Sequence, residues 1–440
     1  MRVGSGRRLA RAKLALHDRP SPVSAHQQGA KLRVLYVHTA TLPPLGADTH
    51  VHGQILRGLD RTEHELHVAC VPGSAKTPTP TFRLVSTIPD LHLVRANLGP
   101  EFSYRSTAGR ILALFRTVPA VLTVARLVIY VRRHRIDLIH TSDRPRDAVA
   151  SVIVGRLTGA ESIVHAHVAF NDEWMGSMLR WALKRANALI AISEFVAMSL
   201  ISAGHLAAKT HVALNAVEVG LWRPGAGRNE RRQEFGIGPA APVLVCICRL
   251  FPAKGPADLI RAVAIVRDQF PDVRVLIVGQ EMIPGYGAEL VALATDLGVE
   301  QNVIFTGWRN DVPSLMAAAD IYAMPSFMEP FGLVYLEAMA MELPVVALDN
   351  GGTPEVVEHD ATGLLSSPGD IEGFAANVLF LLRNPDLRAA MGRRGRKRVE
   401  SEFTIERLAG DTASIYRLIM SENHSGGANE GRTRNGASSQ

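Results

Sequence analysis

Cysteine is scarce in this sequence, and long apolar runs are missing. The three cysteines, Cys70, Cys246 and Cys248, are too few for a disulfide framework. Cys246 and Cys248 alternate within one apolar run without a second ligand pair, so we interpret them as small core residues and not as a zinc site. No stretch of 18 uncharged apolar residues exists, so no membrane-spanning helix is predicted. These absences favour a reducing, cytoplasmic compartment.

Two familiar phosphate-binding motifs are also missing. The sequence contains neither GxxxxGK followed by Ser or Thr nor GxGxxG, which argues against phosphoryl transfer and nicotinamide chemistry. Residues 1–30 are basic and lack the apolar core of a signal peptide, so we predict a disordered basic arm, with a transit peptide as the weaker alternative. Residues 421–440 are predicted to form a disordered tail.

The composition that is present is that of a globular protein of two domains. The chain has 440 residues, which is long for one core, and 47% of them are hydrophobic. The net charge of +6 favours anionic partners such as nucleotides, sugar phosphates or acidic lipid surfaces. We expect no nucleic acid partner.

Short apolar runs alternate with helical patterns along both halves of the chain. Strands are predicted at 32–40, 65–71, 91–96, 136–143, 161–168, 187–193, 273–281, 302–308, 320–326 and 344–348, with another directly before Arg249. This alternation predicts an α/β protein in which two doubly wound, Rossmann-like domains face each other across a cleft. The predicted boundaries are 31–224 for the first domain, 225–238 for a linker, 239–404 for the second domain and 405–420 for a terminal helix.

Residues suited to bind a diphosphate follow the strand that opens the second half. Arg249 and Lys254 lie on one strand-exit loop, where two fixed cations can bind phosphates. No run of Asp or Asn with metal-ligand spacing accompanies them, so the cations themselves are predicted to neutralise a diphosphate leaving group. Two ordinary surface cations are the alternative.

Histidines in the first half suggest two sites of unequal weight. The run Asp48-Thr49-His50-Val51-His52 resembles a metal-binding motif of amidohydrolases, but on a helix His50 and His52 point about 200° apart. A metal site there is therefore disfavoured. His165 and His167 share a strand face, and His167, at the strand tip, is a candidate for a hydrogen bond to substrate.

The stretch from residue 105 to 135 contains seven arginines and no acid, interleaved with apolar segments. A basic amphipathic helix of this kind can lie on an anionic membrane surface. A domain helix with an apolar core face and a solvated arginine face is the somewhat better supported alternative. Peripheral contact with the inner face of the cell membrane therefore stays open.

Two glutamates eight positions apart characterise the region from residue 324 to 357. Glu329 lies in a strand-exit loop, and Glu337 lies on the helical run that follows. In an open parallel sheet such loops meet ligands at the carboxyl ends of strands. Alone, Glu337 could equally lie on a solvated helix face, and Glu329 could be an ordinary acid at a helix N-terminus.

Taken in order, the motifs of the second half resemble the large family of retaining GT-B glycosyltransferases (family 4). The resemblance rests on Arg249-Leu250, Lys254-Gly255, Gly279, Pro325-Ser326, Glu329-Pro330-Phe331-Gly332, Glu337-Ala338-Met339-Ala340, Pro344-Val345-Val346-Ala347, Gly351-Gly352 and Glu355. The first half matches more loosely, at Gly46, Asp137-Leu138-Ile139-His140, His167 and Asn215-Ala216-Val217-Glu218.

The resemblance implies roles for single residues in a transfer that needs no metal or other cofactor. It implies that Glu329 binds the donor-sugar hydroxyls and lies near the reacting centre, and that Glu337 binds the nucleotide ribose. His167 would contact the donor sugar, and Arg249 and Lys254 the diphosphate. The loop of Gly46, the strand tip at Gly279 and the backbone amides of Phe331, Gly332 and Leu333 would complete the donor site.

The co-substrate would be a UDP- or GDP-linked sugar, and the acceptor a glycan or a lipid-linked molecule. The family's commonest setting is the synthesis of cell-envelope polysaccharide or glycolipid. The sequence departs from this pattern at four places. Cys248, Glu342 and Ala47 each stand where the family has glycine, and at the fourth place Ala216 replaces a glycine and Glu218 an aspartate. A non-catalytic partner subunit of the same fold, or a nucleotide-sugar epimerase or phosphorylase, remains an alternative.

Overall fold

A computed structural model describes residues 31–41, 46–99, 107–170, 175–225 and 227–434 of the chain, with backbone only for 107–118 and 423–434. The predicted basic arm, 1–30, and the last six residues of the predicted tail lie outside these ranges.

Seven parallel strands form the sheet of the first domain, in the order β3-β2-β1-β4-β5-β6-β7. Apolar runs with helices on both faces bury such strands completely. Their bounds are β1 Leu32–Val37, β2 His64–Cys70, β3 Leu91–Arg95, β4 Leu138–Ser142, β5 Glu161–Ala166, β6 Ala188–Ala191 and β7 Thr210–Val212.

Six parallel strands form the sheet of the second domain, in the order β10-β9-β8-β11-β12-β13. Their bounds are β8 Val243–Ile247, β9 Arg274–Val278, β10 Val303–Gly307, β11 Ile321–Met324, β12 Val345–Leu348 and β13 Gly363–Ser366. The prediction of two doubly wound, Rossmann-like domains is confirmed.

Fifteen α-helices connect and cover these strands in the described part of the chain. They are α1 Ala47–Gly58, α2 Pro80–Ser86, α3 Thr107–His134, α4 Pro145–Thr158, α5 Ser177–Arg185, α6 Glu194–Ser202, α7 Arg228–Glu234, α8 Pro256–Arg267, α9 Tyr286–Asp296, α10 Val312–Ala318, α11 Leu333–Ala340, α12 Thr353–Val356, α13 Ile371–Arg383, α14 Pro385–Glu402 and α15 Ile405–Arg434. Short 3₁₀ turns occupy Ala207–Lys209, Val219–Leu221 and Pro252–Lys254.

The strand order reverses beside the first strand of each sheet. β1 lies between β2 and β4, and β8 lies between β9 and β11. At such a reversal the connecting helices leave on opposite faces of the sheet, and a crevice opens outside the carboxyl ends of the strands. The two crevices are where the candidate residues gather.

Helix α15 crosses back from the second domain and packs on the first. The buried Tyr416 hydroxyl lies 2.6 Å from that of Tyr36, on β1, and 2.5 Å from His140 Nδ1, on β4. A Cβ on Gly58 would lie 2.7 Å from the Cβ of Ala409, so glycine allows α1 and α15 to approach closely. The core of the first domain therefore includes side chains from the end of the chain.

The structure differs from the sequence at the predicted linker, 225–238. Residues 228–234 form α7, whose Arg232 is buried and bonds to Asp320 and to the carbonyl of Ala318. Arg228 pairs with the same aspartate. The run is polar because two arginines fasten the helix to α10 and its neighbouring strand, so polarity here does not indicate a free linker.

Three further elements differ from the expectations. The terminal helix continues past residue 420 to Arg434, because no proline interrupts its hydrogen bonds. The short strands β7 and β13 were not recognised, since Thr210–Val212 has only three residues and Gly363–Ser366 begins with glycine and ends with serine, which leaves no apolar run of strand length. Among the described residues no helix combines the length and apolar character needed to cross a membrane.

Candidate active site

Glu329 and Lys254 meet at the carboxyl edge of the second sheet. Lys254 Nζ donates to Glu329 Oε2 at 2.5 Å, and the Ser326 hydroxyl donates to the same oxygen at 2.9 Å. Glu329 is buried, with 8% of its surface exposed, so these two donors offset the loss of water around its carboxylate. Glu329 Oε1 bonds to no described residue, which leaves one oxygen for a ligand.

A glycine pair after β12 holds the Glu329 loop in position. The Gly352 N–H donates to the carbonyl of Glu329 at 2.7 Å. A Cβ on Gly351 would lie 2.5 Å from that carbonyl, and one on Gly352 would lie 2.3 Å from the carbonyl of Pro330. Only glycines allow the two loops to touch in this way.

The N-terminus of α11 follows directly. Gly332 caps the helix at φ +95°, and a Cβ there would lie 2.3 Å from the ring of Tyr335. The Phe331 side chain is buried against Phe403, which fixes the turn. The amides of Phe331, Gly332 and Leu333 donate to no other described residue, as expected at the start of a helix.

Arg249 and Gly279 lie at the exits of the adjacent strands β8 and β9. Gly279 has φ +146°, and a Cβ there would lie 1.8 Å from the Cys248 carbonyl, so any larger residue would displace the loop that carries Arg249. The Arg249 side chain is exposed and pairs with no described residue. It is therefore a cation free to meet an anionic ligand.

Glu337 points from α11 without a hydrogen-bond partner among the described residues. Burial raises the pKa of this carboxyl to about 8. Because burial is the only cause of this shift and no cation opposes it, the carboxyl is mostly protonated at neutral pH.

On the first domain, the predicted glycine loop and histidine lie at the carboxyl edge of the sheet. Gly46 begins α1, and a Cβ there would lie 2.3 Å from an oxygen of Asp48. Asp48 is paired with Arg144 at 2.6 Å. The backbone N–H of His167 donates to Asp143 Oδ2 at 2.8 Å, and burial lowers the pKa of His167 to about 4, against the opposing charge of Asp48.

The run from Asp48 to His52 behaves as the helical geometry predicts. His50 is exposed and His52 is buried, so the two do not point to one place. The sequence did not anticipate that Asp48 pairs with Arg144, nor that His52 meets His165 and His167. These contacts join residues from β5, α1 and the start of α4, and sequence spacing carries no signal for them.

The two domains touch beside the Glu329 loop. The Ser193 hydroxyl, at the start of α6, donates to the carbonyl of Pro330 at 2.7 Å. The Glu355 carboxylate accepts from the N–H groups of Glu194 and Phe195 at 2.7 and 2.8 Å. Glu355 therefore caps an α-helix of the opposite domain, which is electrostatically favourable.

Exposed apolar side chains border the crevice of the second domain. Phe251, Met282, Trp308 and Phe327 follow β8, β9, β10 and β11, and each exposes at least 42% of its surface. Apolar side chains beside a few placed polar groups are usual in small-molecule sites. These side chains were not predicted, although an apolar residue follows each of the four strands within four positions.

Two family models match the chain. The model described as Glycosyltransferase Family 4 matches residues 44–221, and that described as Glycosyl transferases group 1 matches residues 227–398. A GDP-mannose-dependent alpha-(1-6)-phosphatidylinositol monomannoside mannosyltransferase of Mycobacterium tuberculosis is 32% identical over 277 residues, covering 60% of this chain and 71% of that protein. N-acetyl-alpha-D-glucosaminyl L-malate synthase of Bacillus anthracis is 25% identical over 398 residues, covering 87% and 97%.

A solved structure has the same fold. Anabaena HepE in complex with UDP and glucose superposes with a TM-score of 0.72 at 25% identity, covering 88% of this chain and 100% of that one. With the crevices, the glycine-supported Glu329 loop and the matched models, the chain belongs to the group 1 (family 4) glycosyltransferases and is a glycosyltransferase of the GT-B fold.

Proposed function

We propose that the protein transfers a sugar from a UDP- or GDP-linked donor to a hydroxyl of a glycan or lipid-linked acceptor, with retention at the anomeric carbon. The observation that carries the proposal is the Lys254–Glu329 pair beside the free cation of Arg249. It puts positive charge and one unoccupied carboxylate oxygen at a single sheet edge. A diphosphate and the hydroxyls of its sugar require this combination.

In the proposed reaction the bond between the anomeric carbon and the diphosphate oxygen breaks, and the diphosphate leaves with both electrons. Arg249 and Lys254 stabilise the developing negative charge, so the chemistry requires no metal. The acceptor oxygen then bonds to the same face of the anomeric carbon, and its proton passes to a diphosphate oxygen. Glu329 holds the donor-sugar hydroxyls, and His167 contacts the same sugar from the first domain.

The remaining donor contacts follow the same arrangement. Glu337 binds the ribose, and the amides of Phe331, Gly332 and Leu333 face the sugar and phosphate at a helix N-terminus. Gly279 and Gly46 allow the backbone to approach the diphosphate closely. Either UDP or GDP is proposed as the nucleotide, because HepE is described with UDP and glucose, whereas the mycobacterial relative is named for GDP-mannose.

A thermal-shift panel of UDP, GDP, ADP and their sugars tests the donor, followed by acceptor screening with the best one. We expect one nucleoside diphosphate to stabilise the protein, and the product to keep the donor's anomeric configuration by NMR. Activity should survive EDTA. An inverted product would overturn retention, and activity lost in EDTA but restored by Mg²⁺ would overturn metal independence. A new nucleotide sugar or a sugar phosphate would indicate an epimerase or a phosphorylase.

Contact with an anionic membrane is proposed for the exposed face of α3, in a setting of cell-envelope polysaccharide or glycolipid synthesis. Leu127 and Val131 of this helix are buried, but Leu122 and Ile129 expose 53% and 66% of their surface beside Arg126. An apolar face with arginines suits an interface between water and acidic lipid.

Co-sedimentation with vesicles tests this contact. We expect binding to acidic vesicles and not to neutral ones, reduced by Arg126→Glu and unchanged by Arg393→Glu on α14. Equal, negligible binding to both vesicle types would refute it.

A further inference from the structure

Five histidine rings pack together at the carboxyl edge of the first sheet, and the proposed transfer uses only one of them. They belong to His38, His52, His140, His165 and His167, whose neighbouring ring centroids lie 4.5–5.5 Å apart. Glycosyl transfer as proposed needs His167 at the donor sugar, and it gives His52 and His165 no task. We call His52, His165 and His167 the histidine triad.

Ring nitrogens of the histidine triad are buried without partners. Both ring nitrogens of His52, both of His167 and Nε2 of His165 have no hydrogen-bond partner among the described residues. His52 is 3% exposed and His165 is fully buried. A buried polar atom left unpaired destabilises the folded state, so five in one place require an explanation beyond packing.

The spacing of the histidine triad suits a metal ion. One ligand nitrogen from each histidine lies within 4.8 Å of the other two. A tetrahedral zinc ion with bonds of 2.0–2.1 Å needs nitrogens about 3.4 Å apart, which small ring movements supply.

An outer layer of hydrogen bonds already orients one ligand. His165 Nδ1 lies 3.3 Å from His140 Nε2, and His140 Nδ1 lies 2.5 Å from the Tyr416 hydroxyl. This leaves His165 Nε2 directed at the triad. Metal-binding histidines commonly have their second nitrogen held in this way.

We propose that the histidine triad binds one divalent transition metal ion of the zinc class, through one nitrogen from each ring. Three protein ligands leave the fourth position of a tetrahedral ion to water. The ion is not part of glycosyl transfer. It occupies His167, so it acts as an inhibitor that competes with the donor sugar; this consequence, unlike binding itself, rests on the proposed function.

A second group with suitable spacing, Glu65, His67 and His92, is the natural competitor. Both ring nitrogens of His67 are already engaged there, Nδ1 with the Tyr130 hydroxyl at 2.8 Å and Nε2 with Glu65 at 3.1 Å. A metal would have to displace one of these partners. The triad is therefore the better site, and the experiment must distinguish the two.

Cobalt is the probe, because four-coordinate Co²⁺ absorbs visible light. The full-length protein is stripped with chelator and titrated with Co²⁺, without donor or acceptor, and metal content is measured after desalting. We expect one ion per chain and visible bands that Zn²⁺ removes. His52→Gln and His165→Gln should weaken binding at least tenfold, whereas His50→Gln, on the same helix but exposed, should not.

Absence of the bands in the folded wild type would overturn the proposal, as would bands lost in His92→Gln but kept in the triad variants. If both triad variants fail to fold, the wild-type protein still tests the site. Co²⁺ is displaced by Zn²⁺, and the histidine ring signals are compared by NMR with and without the metal. Shifted rings of His52, His165 and His167 support the site, and unshifted rings refute it. Inhibition by Zn²⁺ that chelator reverses, weaker in His52→Gln, tests the consequence separately.

Discussion

Lys254 and Glu329 lie 75 positions apart in the chain, and their side chains form an ion pair at 2.5 Å, on the loops that follow two hydrogen-bonded strands, β8 and β11. The pair is largely shielded from water, with 21% and 11% of the two side chains exposed. Its arrangement is therefore set before any ligand arrives.

Lys254→Met and Glu329→Ala are each expected to lower turnover at least 100-fold, because each removes a charge fixed beside the reacting centre. Glu329→Ala should largely spare binding of the nucleoside diphosphate, since the glutamate contacts the sugar. Steady-state kinetics and calorimetry measure both effects. The double variant should raise the activation free energy by less than the sum of the two single increases. Lys397→Met, an exposed lysine on α14, is the control; full activity in Glu329→Ala would refute the assignment.

Binding of the nucleotide should release a proton from Glu337. With a pKa near 8, this carboxyl is mostly protonated at pH 7, and ribose hydroxyls donate better to the ionised form. Affinity for the nucleoside diphosphate should therefore rise about fivefold from pH 7 to pH 8. Calorimetry in buffers of different ionisation enthalpy detects the released proton, and Glu337→Gln should release none. Equal enthalpies for the wild type would contradict the role.

The same carboxyl should make the ligand-free protein less stable as pH rises. Its folded pKa of about 8 lies above its ordinary value of 4.5, so the folded chain keeps a proton that the unfolded chain loses between these values, and stability falls across that window. Glu337→Gln should be more stable at pH 8 by about 2 kcal/mol, since partial exposure moderates the effect. Urea unfolding at pH 5 and pH 8 measures this; a difference independent of pH would exclude titration of Glu337.

Glu342 should be replaceable by glycine with a gain in stability. It adopts φ +57°, at the end of α11, where a side chain costs up to about 1 kcal/mol. Glu342→Gly should raise Tm by about 2 °C by calorimetry. Glu342→Ala removes the same charge but keeps the unfavourable backbone, so it should show no such gain; equal Tm values for the two variants would rule out backbone strain.

Glu355 should hold the two domains together. Its carboxylate accepts two N–H groups from the start of α6, and Glu355→Ala leaves both without this partner. We expect a larger radius of gyration by small-angle X-ray scattering and a weaker response to donor. Glu372→Ala, an exposed acid on α13, is the control. An unchanged scattering profile in Glu355→Ala would indicate that the Ser193–Pro330 contact suffices.

Much of the fold could be predicted from the sequence, because the strands are apolar runs of regular spacing. The charged candidate residues could be placed as well, because they follow these runs directly. The positions of Arg249, Lys254 and Glu329 on loops after strands were predicted in this way, since the sequence shows where an apolar run ends. That Lys254 pairs with Glu329 was not predictable, because pairing depends on which strands lie side by side. Strand order also decides that His52 meets His165.

Predictions from local sequence were wrong where polar side chains hold a helix against its neighbours. Arg228 and Arg232 made α7 look like a linker, although both bond to Asp320. Glu342 adopts the left-handed conformation directly after a helix end, at a position where the family pattern has glycine. Its retention of glutamate has no explanation in the contacts described.

The place of Tyr416 has a consequence for synthesis. This residue fills the core beneath Tyr36 and His140, yet it leaves the ribosome after the whole second domain. The first domain to be made is therefore the last to be completed, and until then it presents an open apolar groove. A chain truncated before α15 would lack its final helix, and the core of its first domain would also be incomplete.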